Sequence, residues 1–174
     1  MTNQLIISSF ELILSLIIGI LCLYIAHYII VRIFTNRFNN QYPYENNAFL
    51  IFLSGILFSV GYLISGVMTP LSTTIDMLNN GDFTTSDSII AYTKYIILFC
   101  SLGLVLAGLI NFLTYLLFSS LTTNLNELEE INNGNVGVSI LVSVIAIVIS
   151  ILCREPFLIV LESFIPYPEL PQIF

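Results

Sequence analysis

Positive charge is almost missing from this chain: Arg32, Arg37, Lys94 and Arg154 are its only lysines and arginines. Nucleic-acid surfaces need clustered Lys and Arg, so that partner class is excluded, as is a polybasic patch for anionic lipid heads. Charge of either sign is scarce, at 9% of residues, where an ordinary globular chain has about a quarter. Catalytic groupings are missing as well. One histidine, no Ser-His-Asp set, no HExxH, no phosphate loop and no carboxylate pair inside an apolar run leave no convergent roles for an enzyme. Cys22, Cys100 and Cys153 sit in separate apolar runs without Cys or His at ligand spacing. They are expected to be buried free thiols, with no metal site and no cofactor; a histidine pair for haem is lacking too.

What the sequence has is hydrocarbon. With 57% hydrophobic residues and a mean hydropathy of +0.97, its main solvent is lipid. Four runs reach the roughly 20 residues needed to cross a bilayer: 5–34, 48–68, 89–118 and 136–153. None alternates apolar and polar as a barrel strand does, so all are helices. The first and third are long enough to tilt or to project beyond the bilayer. Met1–Gln4 carries no basic residue and no small-residue cleavage site follows the first run, which is expected to remain a span. Asp87 is the expected cap of the third run, Thr69-Pro70 the expected end of the second, and Asn132-Asn133-Gly134 a turn into the fourth.

The order long run, polar loop, short run occurs twice. Glu45-Asn46-Asn47-Ala48 opens the second run, and Glu130-Ile131-Asn132-Asn133-Gly134-Asn135 opens the fourth. Setting Asn47 on Asn135 places Gly55 on Ser143 and Ser59 on Ile147. The expected fold is an all-α membrane protein of four transmembrane helices built as two tandem two-helix repeats, 1–70 and 86–154. Residues 155–174, broken by four prolines, form an expected interfacial tail with two helical turns at 157–164. An even number of spans between the copies puts both Glu/Asn loops on one side. Arg32 and Arg37 beside the first loop favour termini outside and loops inside, although Lys94 and Arg154 balance them.

The ENNA opening a helix that ends near Met-Thr-Pro, then Glu-Ile-x-x-Gly-Asn-Val opening a fourth helix, resembles the YjfL-type bacterial inner-membrane family, domain of unknown function 350. The resemblance covers nearly the whole chain, with its specific core at Glu45–Ala48 and Glu130–Val136. It implies a four-helix bacterial inner-membrane protein of tandem hairpins with no established activity, in an envelope-stress or polyamine setting. Gly137 and Ser139, where Ala-rich sequence is expected, and the long tail after Arg154 depart from that pattern.

Two sets of residues stand out. Glu45, Asn46, Asn47, Glu130, Asn132 and Asn135 are at helix starts, where carboxylates and amides cap free N–H groups; their appearance twice also suits a polar mouth on a pseudo-two-fold axis. Glu127, Glu129 and Glu130 then gather cations, or form a solvated face. Gly55, Ser59, Asn111, Ser139, Ser143 and Ser150 fall on helical stripes that suit close helix packing, or the lining of an aqueous path. Asn111, deep in the third run, is expected to bond across to another helix. His27 is a titratable candidate or an interfacial anchor beside Tyr24 and Tyr28. The function expected is a non-enzymatic, homo-oligomeric scaffold or partner subunit of the envelope, in the lipid bilayer beside a membrane or peripheral protein partner; the alternative is an ion or small-solute channel with the loops at its mouth.

Overall fold

The computed structural model describes residues 2–39, 43–79, 85–121 and 126–165. Helix α1 (Thr2–Phe38) leads through a 3-10 turn (Pro43–Glu45) to α2 (Asn47–Ile64), and a second 3-10 turn (Ser65–Val67) joins it to α3 (Met68–Asn79). Then come α4 (Thr85–Leu121), the short α5 (Glu127–Asn132) and α6 (Val136–Glu162). No strand occurs among the described residues. Leu12–Phe38, Asn47–Leu78, Ile90–Ser120 and Val136–Glu162 are long and apolar enough to cross a membrane. The chain is an all-α membrane protein, because only helices and closed barrels satisfy every backbone group in lipid.

The centre of the bundle is the pair α2 and α6, which run in the same direction. Their contacts advance together along both helices: Asn46 meets Ile131 and Asn132, Ile51 and Gly55 meet Ser143, Tyr62 meets Arg154, and Gly66 faces Phe157 and Leu158. Helix α1 returns along α2, with Phe34 against Phe49 at 4.3 Å between ring centres and Leu23 against Gly61. Helix α4 is antiparallel to both central helices, its Asn111 bonded to Ser59 and its Gly103 facing Ile64, Val67 and Phe157. The loops before α2 and α6 therefore lie at one end of the bundle.

Small residues set the central spacing. Lipid tails are as apolar as leucine, so no hydrophobic force joins helices inside a membrane, and close backbone approach does the packing. A Cβ on Gly55 would overlap the Cβ of Ser143 and come within 2.9 Å of its Cα. Ser59, Ala107, Ser139, Ala146 and Ser150 are buried on the inner faces. Large side chains point outward, as on α1 (Leu16), α4 (Leu113) and α6 (Val144), where lipid is their natural contact.

Three helices run past their expected ends. Helical structure continues across Thr69-Pro70 to Asn79. Pro70 is the third residue after the 3-10 turn, within a first turn whose N–H groups lack intrahelical partners in any case. Helical structure in the third run begins at Thr85, so Asp87 lies inside α4 rather than capping it. Helix α6 carries Pro156 in its interior and continues to Glu162. Residues 157–164, expected as a separate interfacial helix, are instead mostly the last turns of α6, with Phe157 and Leu161 in the core. Pro156 lies on the outer face of α6, one turn beyond the exposed Leu152 whose carbonyl it leaves without a donor, and helical structure continues through it. The expectation for the tail beyond Ile165 lies outside the described residues.

Candidate functional site

The two elbows are joined by one side chain. Asn46 has extended backbone (φ −95°) and caps α2, its Oδ1 accepting from Ala48 N–H at 2.9 Å and Phe49 N–H at 3.2 Å. The same amide donates through Nδ2 to the carbonyls of Ile131 at 2.8 Å and Asn132 at 3.0 Å. Those carbonyls end α5, where the last turn of any helix leaves acceptors without intrahelical donors. Asn46 thus satisfies the start of one helix and the end of another with opposite ends of one group. The cap falls on Asn46 rather than on Asn47, which is the first helical residue of α2.

The second elbow closes on itself. Gly134 sits at φ +87°, Gly134 N–H donates to Ile131 C=O and Asn135 N–H donates to Glu130 C=O, the paired bonds of a Schellman ending with glycine in the left-handed position. Asn135 then caps α6 by accepting from Val138 N–H at 3.2 Å, and its Nδ2 donates to Glu130 Oε2 at 2.8 Å. The expected Asn132-Asn133-Gly134 turn is thus present, with the unforeseen α5 in front of it.

Glu45, Asn46, Asn47 and Asn132 line one open depression of about 510 Å³, together with Ala48, Asn133, Gly134 and Val136. Glu130 and Asn135 do not line it; they are bonded to each other at its side. The acidic cluster is dispersed: Glu129 accepts from Asn126, Glu130 from Asn135, and Glu127 is turned inward and is 1% exposed. Beneath the depression Ala48, Phe34, Phe49, Leu53 and Ile131 form a buried apolar cluster. His27 stands beside Tyr44, Nε2 3.2 Å from the phenol oxygen with the rings stacked, at the edge of the first elbow.

The stripe residues form a seam. Ser143 Oγ donates to Ile51 C=O across the α2–α6 contact at 3.1 Å, while Ser139 and Ser150 donate to Asn135 and Ile147 carbonyls of their own helix. Ser59, fully buried, donates to Asn111 Oδ1 at 2.9 Å, and Asn111 Nδ2 donates to Ala107 C=O. Asn111 makes the bond to another helix that its depth calls for. These hydroxyls are all engaged with protein acceptors. Sequence reasoning missed the clamp role of Asn46, the burial of Glu127 and the approach of Cys100 on α4 to Cys22 on α1. Only the doubled Asn at 46 and 47 hinted at the first.

Among the described residues no group of His, Cys, Asp and Glu is placed to hold a metal. No curated protein and no solved structure matches the chain. The family described as Domain of Unknown Function (DUF350) matches residues 2–156, a span that takes in both elbows and all but the last turns of the fourth membrane-capable helix, and the chain belongs to that family.

Proposed function

We propose that this protein is a non-enzymatic, oligomeric scaffold or partner subunit of the bacterial inner membrane, presenting its joined elbows to a membrane or peripheral protein. The observation that carries this reading is the Asn46 clamp. One amide ties two helix ends into a single rigid polar platform above an apolar, buried underside. A platform of that kind suits docking. Flow through one copy has no support from the seam, where Gly55 lies against Ser143 and every inner hydroxyl is bonded to protein. The doubled-hairpin reading belongs to this proposal: Gly55 and Ser143, matched by the internal alignment, touch each other, as positions on a two-fold axis along the membrane normal must.

The inner small-residue faces are used within one copy, so assembly falls to the outward faces of α1 and α4. Gly108 on α4 is exposed, with nothing within 4 Å of where its Cβ would stand. Mass measurement in mild detergent tests the oligomer. Gly108→Leu is expected to shift the wild-type oligomer toward monomer, and a monomeric wild type overturns the assembly. The second reading, an ion or small-solute channel, is favoured by the depression lined by Glu45, Asn46, Asn47 and Asn132. Reconstituted liposomes separate the two. Silence under every ion gradient supports the scaffold; flux that disappears in Glu45→Gln, at the wall of the depression, supports the channel.

A further inference from the structure

We infer that the crevice between α1 and α4 at the elbow end is a binding site for one phospholipid, its acyl chain within the crevice and its phosphate on Arg37. Beyond the Cys22–Cys100 contact a cavity of about 180 Å³ opens between Ile30 and Phe34 of α1 and Phe112 and Tyr115 of α4, with Phe52 and Ile56 of α2 behind. Val142 and Ala146 of α6 close its back.

The amide and the hydroxyl of Asn111 and Thr114 in its wall are already engaged. Asn111 is bonded to Ser59 and Ala107, and Thr114 Oγ1 donates to Ile110 C=O at 2.8 Å. Water needs two to four polar partners to occupy a cavity, so this one takes apolar matter. The bilayer supplies it, because Ile33 and Phe112 on the rim are more than half exposed on the lipid side.

Charge selects the occupant. Arg37, in the last turn of α1, lines the same cavity with its guanidinium 5.7 Å from the Phe38 ring centre. The one ion pair among the described residues is Arg154 with Glu155, so Arg37 keeps its forked donors for an outside oxyanion. From Arg37 to Ile30 the helix rises about 10 Å at 1.5 Å per residue, well within the half-thickness of roughly 15 Å that one leaflet contributes. A cation at the surface and a greasy slot below it match a phosphate joined to a hydrocarbon chain. A helix of a second copy, about 10–12 Å wide, is too bulky for a cavity of about 180 Å³, and a lone apolar side chain leaves Arg37 without an anion.

The test uses the full chain in maltoside micelles with a phosphatidylglycerol that bears a photoreactive diazirine on one acyl chain. Diacylglycerol with the same label is the phosphate-free arm. The expected result is cross-linking concentrated at Phe34, Phe112 and Tyr115, with about tenfold weaker labelling by diacylglycerol, the size of one charge-assisted hydrogen bond. Arg37→Gln is expected to bring phosphatidylglycerol down to the diacylglycerol level. Arg32→Gln, which removes the same charge from a residue bonded to Tyr28 outside the crevice, is expected to leave labelling unchanged. Ile33→Trp, which fills the slot from its lipid side, is expected to lower labelling by both probes without lowering the melting temperature. The assignment is overturned if adducts spread over the outward faces in proportion to exposure, if both arginine variants lose equally, or if diacylglycerol labels as strongly as phosphatidylglycerol.

Discussion

Gly55 and Ser143 show how much one missing atom decides in a protein without hydrophobic pressure between its helices. The Ser143 Cα cannot move aside as the tip of a flexible chain can, so a methyl at position 55 must separate α2 from α6. Gly55→Ala is expected to cost about 1–3 kcal/mol, the usual range for overpacking, read as a lower melting temperature in mild detergent. Adding Ser143→Gly is expected to recover part of that loss, because the second change vacates the space the first one needs. The recovery should be incomplete, since the Ser143 bond to Ile51 goes with it. Asn46 allows a finer dissection. Asn46→Asp retains the acceptor that caps α2 but removes the donors to Ile131 and Asn132 and sets a carboxylate against two carbonyls. Asn46→Ala is expected to lose about 3 kcal/mol, from a cap worth about 1 and two hydrogen bonds worth about 1 each, and Asn46→Asp, which keeps the cap, about 2. An aspartate variant as stable as wild type would show that the clamp between elbows contributes nothing.

At the scale of elements, the sequence was most legible where it had to answer to lipid. Four long apolar runs can only be helices, and the structure has four long and apolar enough to cross a membrane. Helix ends were less legible, for a physical reason. A proline breaks the ladder of a helix in water, yet helical structure continues through both Pro70, which is buried at the start of α3, and Pro156, which is exposed within α6. Phe157 illustrates the consequence. Beyond a proline it reads as a headgroup anchor, yet its ring lies among Gly66 and Gly103, two residues whose missing side chains make room for it. Contacts between separate runs are not written in either run alone, and the approach of Cys22 to Cys100 is one of these. It marks the α1–α4 pairing and can be read chemically. Oxidation by copper phenanthroline is expected to form an intramolecular disulfide that speeds migration on a denaturing gel. Cys22→Ser or Cys100→Ser is expected to abolish it, whereas Cys153→Ser leaves it intact. Cross-linking that yields only dimers through Cys153 would contradict the packing of the two long helices.

For the molecule as a whole, parallel α2 and α6 impose a topological requirement that no side chain can evade. If both helices start at the same end, the chain must cross the membrane twice between them, and both elbows must meet the same solution. The Glu/Asn loops could be found by reading the sequence, since polar letters between apolar runs are conspicuous. Their union could not, because Asn46 reaches carbonyls 85 and 86 residues away. With the three cysteines replaced by serine, Asn47→Cys and Asn133→Cys are each placed on the open depression. A membrane-impermeant maleimide added to sealed vesicles of one orientation is expected to label both positions or neither, and inverting the vesicles is expected to exchange the two results. Arg154 stands about 27 Å along α6 from Val136 at 1.5 Å per residue, against the Tyr62 ring near the opposite surface. A cysteine at the neighbouring exposed Glu155 is therefore expected to label from the other side. Opposite labelling of positions 47 and 133 would dismantle the common platform, and with it the docking role, because two polar loops on different sides of a bilayer present no shared surface to anything.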